Sequence, residues 1–137
     1  MELQQIADEL NNPLASTNTG LEFTAAMLAG DANVLQVTVE GREELPIFVS
    51  VTEEQVLCIS YLWGADEVKP ESLNEMHTAM LEMNIPMPLS SFSKIGDKYA
   101  VFGAMSISSS IDDIAHELAV LSCNSMDVIS EMSDFLV

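Results

Sequence analysis

The first hydrophobic pattern along the chain is that of a short amphipathic helix. Apolar residues recur at steps of three and four, the spacing of one helix face, at Leu3, Ile6, Ala7 and Leu10. The pair Asn12-Pro13 predicts the end of this helix, because proline cannot continue the helical hydrogen-bond ladder. Residues 14–20 are interpreted as a loop. Residues 21–28 fit either a helix turn or an apolar strand, and we favour the strand.

The pattern then changes to the two-residue period of β-strands. Apolar and polar residues alternate from Val34 to Glu40, which predicts a half-exposed strand. After a polar turn, residues 47–51 predict a second strand, and residues 56–63 predict a third. The third segment is apolar at both alternating sets of positions, as in a strand covered on both faces. Together these segments predict an antiparallel meander of three strands.

The second half of the chain predicts a helix, a hairpin and a longer helix. Pro70 suits the first position of a helix of about 14 residues, which Asn84-Ile85-Pro86 ends. Gly96-Asp97 suits a tight two-residue turn between two further strands, residues 89–95 and 98–105. Ser110 is expected to cap the final helix, with Asp113 three residues further on.

These elements predict one α+β domain over residues 1–137. Its core would be an antiparallel five-stranded sheet flanked by helices, in the order α-β-β-β-α-β-β-α. The chain is 48% hydrophobic and 19% charged, which is too apolar for a disordered acidic segment.

The charge is strongly one-sided. Asp and Glu number 22 against four Lys and Arg, giving a formal net charge of -18. Nucleic acids and anionic membranes attract basic residues, so both are disfavoured as partners. The acidity either serves solubility alone or steers a basic protein partner. No signal-peptide pattern or spanning apolar run is seen, which predicts a cytoplasmic protein without membrane insertion.

Residues that carry catalytic or metal-binding chemistry are sparse. Cys58 lies in an apolar run, and Cys123 is the only other cysteine. We therefore expect two reduced, buried thiols. His77 and His116 lie on different predicted helices, and His116 is expected to pair with Asp112 on a helix surface. No nucleophile motif or phosphate-binding loop occurs. The sequence therefore predicts no enzyme, no cofactor and no metal site.

Methionines form a pattern along the middle helix and its exit. They are spaced by four, three and four residues, at Met76, Met80, Met83 and Met87. Methionine fills irregular gaps in cores and also adapts to varied partners, so the stripe is either core or a protein interface. Phe48 and Trp63 would extend such an interface if the sheet is uncovered there.

The predicted order of elements resembles the class I type III secretion chaperone fold, which the YbjN-like proteins share. Three segments, residues 42–46, 84–92 and 94–99, resemble the uncharacterised bacterial YjfI-like family. This resemblance runs from about Val34 to the C-terminus. The family has no assigned activity, and its gene neighbourhood implies a role with PspA-type membrane-stress proteins.

The leading hypothesis is a homodimeric, chaperone-like adaptor that binds a basic or partly unfolded segment of another protein. The resemblance to secretion chaperones implies a dimer built on the middle helix, with Met76, Met80 and Met83 at its interface. The first alternative is a regulatory partner of a PspA-type membrane-stress system. The second is an enzyme with an unrecognised site.

Overall fold

The computed structural model describes residues 2–28, 30 and 33–137, without the side chains of residues 15–17. Four α-helices are present in this part of the chain: α1 (Leu3–Leu10), α2 (Pro13–Thr19), α3 (Leu73–Met83) and α4 (Ile111–Glu131). Six strands accompany them: β1 (Phe23–Met27), β2 (Leu35–Val39), β3 (Ile47–Val51), β4 (Gln55–Gly64), β5 (Ser91–Ile95) and β6 (Lys98–Ser106). Short 3₁₀ turns span Ala65–Glu67, Pro70–Ser72 and Ser133–Phe135.

The strands form one antiparallel sheet in the order β1-β2-β3-β4-β6-β5. Strands β1 to β4 follow one another as a meander, and β6 joins the sheet beside β4. Strand β5 therefore lies at one edge and β1 at the other. The predicted α+β class and antiparallel sheet are confirmed, but the sheet has six strands rather than five because β1 precedes the predicted meander.

All the described helices that cover the sheet lie on one of its faces. Alternate strand residues point to this face and are buried: Phe23, Ala25, Leu35, Val37, Val39, Ile47, Val49, Val56, Cys58 and Val101. Helices α1 and α4 contribute Ile6, Leu10, Ile114, Leu118 and Leu121 to the same core. The fold thus has two layers, and its core lies between the helices and one side of the sheet.

The N-terminal region differs from its prediction. Residues 14–20 were expected to form a loop, yet Pro13–Thr19 is α2, which packs against α4. The predicted end of the first helix at Asn12-Pro13 is confirmed, since α1 ends at Leu10. Pro13 then occupies the first position of α2, where its missing N–H costs no bond. The favoured strand at residues 21–28 is confirmed as β1. Tertiary packing stabilises a helix of seven residues that is too short to be predicted from periodicity.

Strand β4 is covered on one face only, so the prediction of burial on both faces was wrong. Val56, Cys58 and Ser60 are buried on the helix side. On the other side Leu57 and Ile59 are half-buried and Tyr61 is 38% exposed. An apolar run alone does not report whether a second layer is present.

The remaining sequence predictions hold closely. Strand β5 pairs with β6 across Gly96-Asp97, with Ile95 opposite Lys98. Helix α3 follows Pro70 and ends before Asn84. The Ser110 side chain accepts a hydrogen bond of 3.1 Å from the backbone N–H of Asp113, so α4 begins at the predicted cap.

Both edges of the sheet are capped by asparagine side chains that end helices. Asn11, the C-cap of α1, accepts a bond of 2.8 Å from the Ala25 N–H and donates one of 2.9 Å to the Ala25 carbonyl. Asn84, the C-cap of α3, accepts a bond of 2.7 Å from the Phe92 N–H. Unpaired edge groups invite pairing with other chains, and these amides block part of each edge.

Replacing Asn11 with alanine is expected to lower the free energy of unfolding by about 1–2 kcal/mol, because two backbone groups lose their partners. Urea unfolding followed by circular dichroism measures the change. Asn74→Ala is the matched control, since Asn74 is an exposed asparagine on α3. An Asn11→Ala protein no less stable than the Asn74→Ala protein would contradict the capping role.

Candidate functional site

The face of the sheet opposite the helices has an uncharged floor, and Lys98, at the start of β6, lies on the same side at its margin. No described helix packs on it. We call this surface the open face; its residues are Thr24, Ala26, Gln36, Thr38, Phe48, Ser50, Leu57, Ile59, Tyr61, Phe102 and Ala104. All of them are exposed or half-buried. In a chain with a net charge of -18, so large an uncharged patch is the most distinctive surface feature.

An aromatic pair lies near the middle of the open face. Phe48 on β3 and Tyr61 on β4 have ring centroids 5.9 Å apart, with their planes inclined at 59°. Beside them is a hollow of about 280 Å³, lined by Leu28, Val34, Phe48, Ser50, Ile59 and Tyr61. The rings and the hollow together offer a shape into which apolar side chains of a partner can fit.

Acidic residues flank the ends of the open face. Glu22 precedes β1 and Glu40 follows β2, and strand alternation places both on the open side. Protonated Glu40 can donate a hydrogen bond to the Glu22 carboxylate, and this bond, together with the Glu22 charge, raises the pKa of Glu40. At the opposite end, the exposed turn between β3 and β4 carries Glu53 and Glu54. An uncharged floor is therefore bordered by negative charge.

The predicted interface residues are separated by the fold. Met76 and Met80 are buried on α3, in one core cluster with Trp63 and Tyr99. The core interpretation is therefore correct for these two methionines, and Trp63 is not part of a surface. Met83 and Met87 are half-buried. Of the predicted interface residues only Phe48 lies on the open face, and its contact with a partner stays a prediction.

The sequence reasoning missed Leu57, Ile59 and Tyr61 as surface residues. Their signal was present, since both alternating sets of residues 56–63 are apolar, but it was interpreted as burial on two sides. An exposed apolar residue on α3 was also missed: Leu81 is 70% exposed, although the preceding Met80 is buried.

The histidines and cysteines lie apart from the open face. His77 Nε2 is 2.7 Å from the Tyr99 hydroxyl, and burial raises the pKa of Tyr99. Cys58 is buried, as predicted, but Cys123 is exposed on α4. Asp112, expected to pair with His116, accepts a bond from the Asn18 side chain. Within residues 2–28, 30 and 33–137, no three His, Cys, Asp or Glu side chains come together as metal ligands.

A buried carboxyl group lies in the core between α4 and the sheet. Glu117 is 7% exposed, and burial raises its pKa, while neighbouring His116 acts in the opposite direction. Its carboxyl group occupies the space that a side chain at residue 103 would need, which explains the glycine there. Burial, and then the Glu117 charge, raise the pKa of Cys58 to about 12, so this thiol is neutral at ordinary pH.

No described helix is long and apolar enough to cross a membrane. Several solved structures share the fold, among them YbjN and a chain of the ExsC–ExsE complex. The E. coli protein YbjN is 14% identical, with a TM-score of 0.64, over 98% of this chain and 92% of its own. A chain of the ExsC–ExsE complex is 10% identical, with a TM-score of 0.57, over 95% of this chain and 96% of its own.

These likenesses confirm the predicted fold resemblance. No curated protein matches the sequence. A family model described as an uncharacterised protein conserved in bacteria matches residues 1–136. The chain therefore belongs to this bacterial family, DUF2170.

Proposed function

We propose that this protein is a non-enzymatic adaptor that binds a basic, amphipathic helix of another protein on the open face. The observation that carries the proposal is the uncharged, apolar floor around Phe48 and Tyr61 in a chain of net charge -18. The apolar floor and its acidic borders together fit a second protein as the occupant.

The apolar floor supplies the binding energy. Covering a few hundred Å² of apolar surface, at roughly 25 cal/mol per Å², contributes several kcal/mol. A helix is about 10 Å wide with its side chains and so spans about two strands, which lie about 4.8 Å apart. Strands β3 and β4, which carry Phe48, Ile59 and Tyr61, are adjacent in the sheet. One helix laid along them would cover the aromatic pair and the hollow.

The acidic borders select the charge of the partner. Glu22 and Glu40 at one end and Glu53 and Glu54 at the other would lie near the two ends of a docked helix. Lysine or arginine on the helix flanks near those ends would be attracted, whereas acidic residues there would be repelled. The net charge of the whole chain adds a long-range field that speeds the encounter with a basic partner.

The fold likeness supports a protein partner without naming it. A chain of similar fold lies in a complex of two proteins, ExsC and ExsE.

A homodimer also stays part of the proposal, but Met76 and Met80 are unavailable for its interface because they are buried. Light scattering that returned only the monomer mass of 14.9 kDa at all concentrations would contradict the dimer.

The test uses a synthetic amphipathic helix with leucines on one face and lysines on the flanks. Titration calorimetry is expected to show binding that weakens with added salt, because charge attraction is screened. The same peptide with glutamate in place of lysine is expected not to bind. A PspA-type regulatory role predicts instead that only a folded basic coiled coil binds and the isolated helix does not.

Replacing Tyr61 with glutamate is expected to weaken binding of the lysine peptide by at least about tenfold, since the charge must be desolvated in the interface. Met126→Glu is the matched control: Met126 is 42% exposed, close to the 38% of Tyr61, but lies on the helix side. Equal binding by the two variants would show that the open face is not the site.

A further inference from the structure

Helix α3 lies beside the edge strand β5, since the Asn84 side chain at its end bonds to Phe92. Between the helix and this strand lies a pocket of about 300 Å³, lined mainly by His77, Met80, Leu81, Asn84, Phe92 and Tyr99. Met80 is buried, whereas Leu81 is largely exposed. The pocket is therefore bounded by the core on one side and by the sheet edge on the other.

The backbone of β5 offers hydrogen-bonding groups on the same side. Ile95 and Lys98 flank a two-residue turn, which makes them a hydrogen-bonded pair, and such pairs alternate along an antiparallel ladder. Ser93 and Ser91 consequently bond to β6. The N–H and C=O groups of Phe92 and Lys94 point the other way, out from the sheet edge.

Three of these four outward groups have no partner among the described residues. Asn84 occupies only the Phe92 N–H, and the Lys94 ammonium group bonds to the Gly96 carbonyl rather than to the edge. At the opposite edge Asn11 occupies both groups of Ala25. On β5, both backbone groups of Lys94 lack a partner among the described residues and are free to pair.

The pocket lies where a side chain of an added strand would point. Phe92 and Lys94 are paired with Val101 and Tyr99, so their side chains lie on the helix side of the sheet. In an antiparallel addition, the residue opposite Lys94 exchanges two backbone bonds with it and points to that same side. Its side chain would enter the pocket beneath Leu81.

We propose that an extended segment of a partner protein adds to β5 as a seventh strand and inserts an apolar side chain into this pocket. Backbone bonds to Lys94 supply affinity, and the pocket selects leucine, phenylalanine or a similar residue. This site goes beyond the proposed function, because it lies at the sheet edge rather than on the open face and takes an extended segment rather than a helix.

Charge distinguishes the partner of this edge from that of the open face. Lys94 and Lys98, two of the four basic residues of the chain, both lie on the β5–β6 hairpin. The hairpin carries these two lysines against one acidic residue, Asp97, so a basic segment gains nothing here. An uncharged or mildly acidic extended segment fits this edge better.

The probe is an acetylated, amidated peptide in which leucine alternates with threonine. Nuclear magnetic resonance on the full chain is expected to show slowed exchange of the Lys94 amide and shifts around the pocket. N-methylation of the leucines removes the donors that face β5 and is expected to abolish binding. N-methylation of the threonines, whose amides face outward, is expected to leave binding unchanged.

Variants of the protein test the same geometry. Lys94→Pro removes the outward N–H without losing a bond to β6, and is expected to weaken peptide binding at least tenfold, whereas Lys94→Thr retains it. Leu81→Glu is expected to weaken binding, and Leu14→Glu, at a similarly exposed position on α2, is the control.

Four results would overturn the proposal. The first is a peptide that binds equally well with N-methyl leucine or to Lys94→Pro. The second is the absence of any binding by the unmodified peptide. The third is self-association of the chain that Lys94→Pro abolishes, because the occupant would then be a second copy. Loss of binding in Tyr61→Glu would assign the peptide to the open face and would likewise contradict an edge site.

Discussion

Replacing Met80 with glutamate is expected to unfold the protein. Met80 is 6% exposed and belongs to the buried cluster that contains Met76, Trp63 and Tyr99. A carboxylate placed there would lack a charged partner, and such burial costs several kcal/mol. Domains of this size are stable by only about 5–15 kcal/mol, so much of the native population would be lost. Circular dichroism and urea unfolding measure the effect.

The adjacent residue provides the control. Leu81 is 70% exposed, so Leu81→Glu places the same charge one position away in water and is expected to change stability by less than about 0.5 kcal/mol. Met80→Leu, which nearly conserves volume, is expected to cost less than about 1.5 kcal/mol. A Met80→Glu protein with native circular dichroism and unchanged urea unfolding would show that the methionine face is not core.

Replacing Glu117 with glutamine is expected to raise the free energy of unfolding at neutral pH by up to about 1 kcal/mol. The side chain packs against Gly103 and near Cys58, and partial burial of its carboxyl group raises the pKa. An ionised group without compensating bonds is costly in such a site, and a neutral amide of the same shape removes that cost.

The pH dependence of this difference follows from the direction of the shift. Because the pKa of Glu117 is higher in the folded chain than in the unfolded chain, the folded state takes up the proton first as the pH falls. The destabilisation is complete above the folded pKa and disappears below the unfolded value of about 4.3. The advantage of Glu117→Gln should therefore shrink from neutral pH towards pH of about 4.

Glu131→Gln controls for the loss of one negative charge. Glu131 lies exposed at the end of the same helix, so its replacement reduces repulsion in the chain without relieving burial. We expect a change within about 0.5 kcal/mol and little dependence on pH. Equal stabilisation by the two variants would indicate that net charge, rather than burial at Glu117, is responsible.

Most elements were predictable because local pattern and tertiary environment agree. The alternation in residues 34–40, the turn at Gly96-Asp97 and the Ser110 cap each specify a structure through neighbouring residues alone. Helix α2 was not predictable in this way. It has seven residues with little apolar periodicity, and its stability depends on α4, which follows about ninety residues later in the chain.

The candidate sites were less predictable than the fold. Methionine spacing correctly placed Met76 and Met80 on one helix face but did not reveal whether that face meets the sheet or a partner. The apolar run of β4 likewise predicted a strand without showing that only one side is covered. Phe48 and Tyr61 are exposed because the described helices that cover the sheet all pack on its opposite face. That packing involves contacts between distant parts of the chain.

The sequence by itself determined the α+β class, the antiparallel pairing and the acidic surface, and also the resemblance that family membership confirms. Each of these follows from local periodicity, turn chemistry or residue types. Only the tertiary structure decided which apolar surfaces remain uncovered by other elements of the chain. Both the open face and the β5 pocket exist because the helices cover one side of the sheet and α3 lies beside its edge strand β5. A residue's own type and spacing cannot specify which distant element covers it, since burial is a property of the assembled layers.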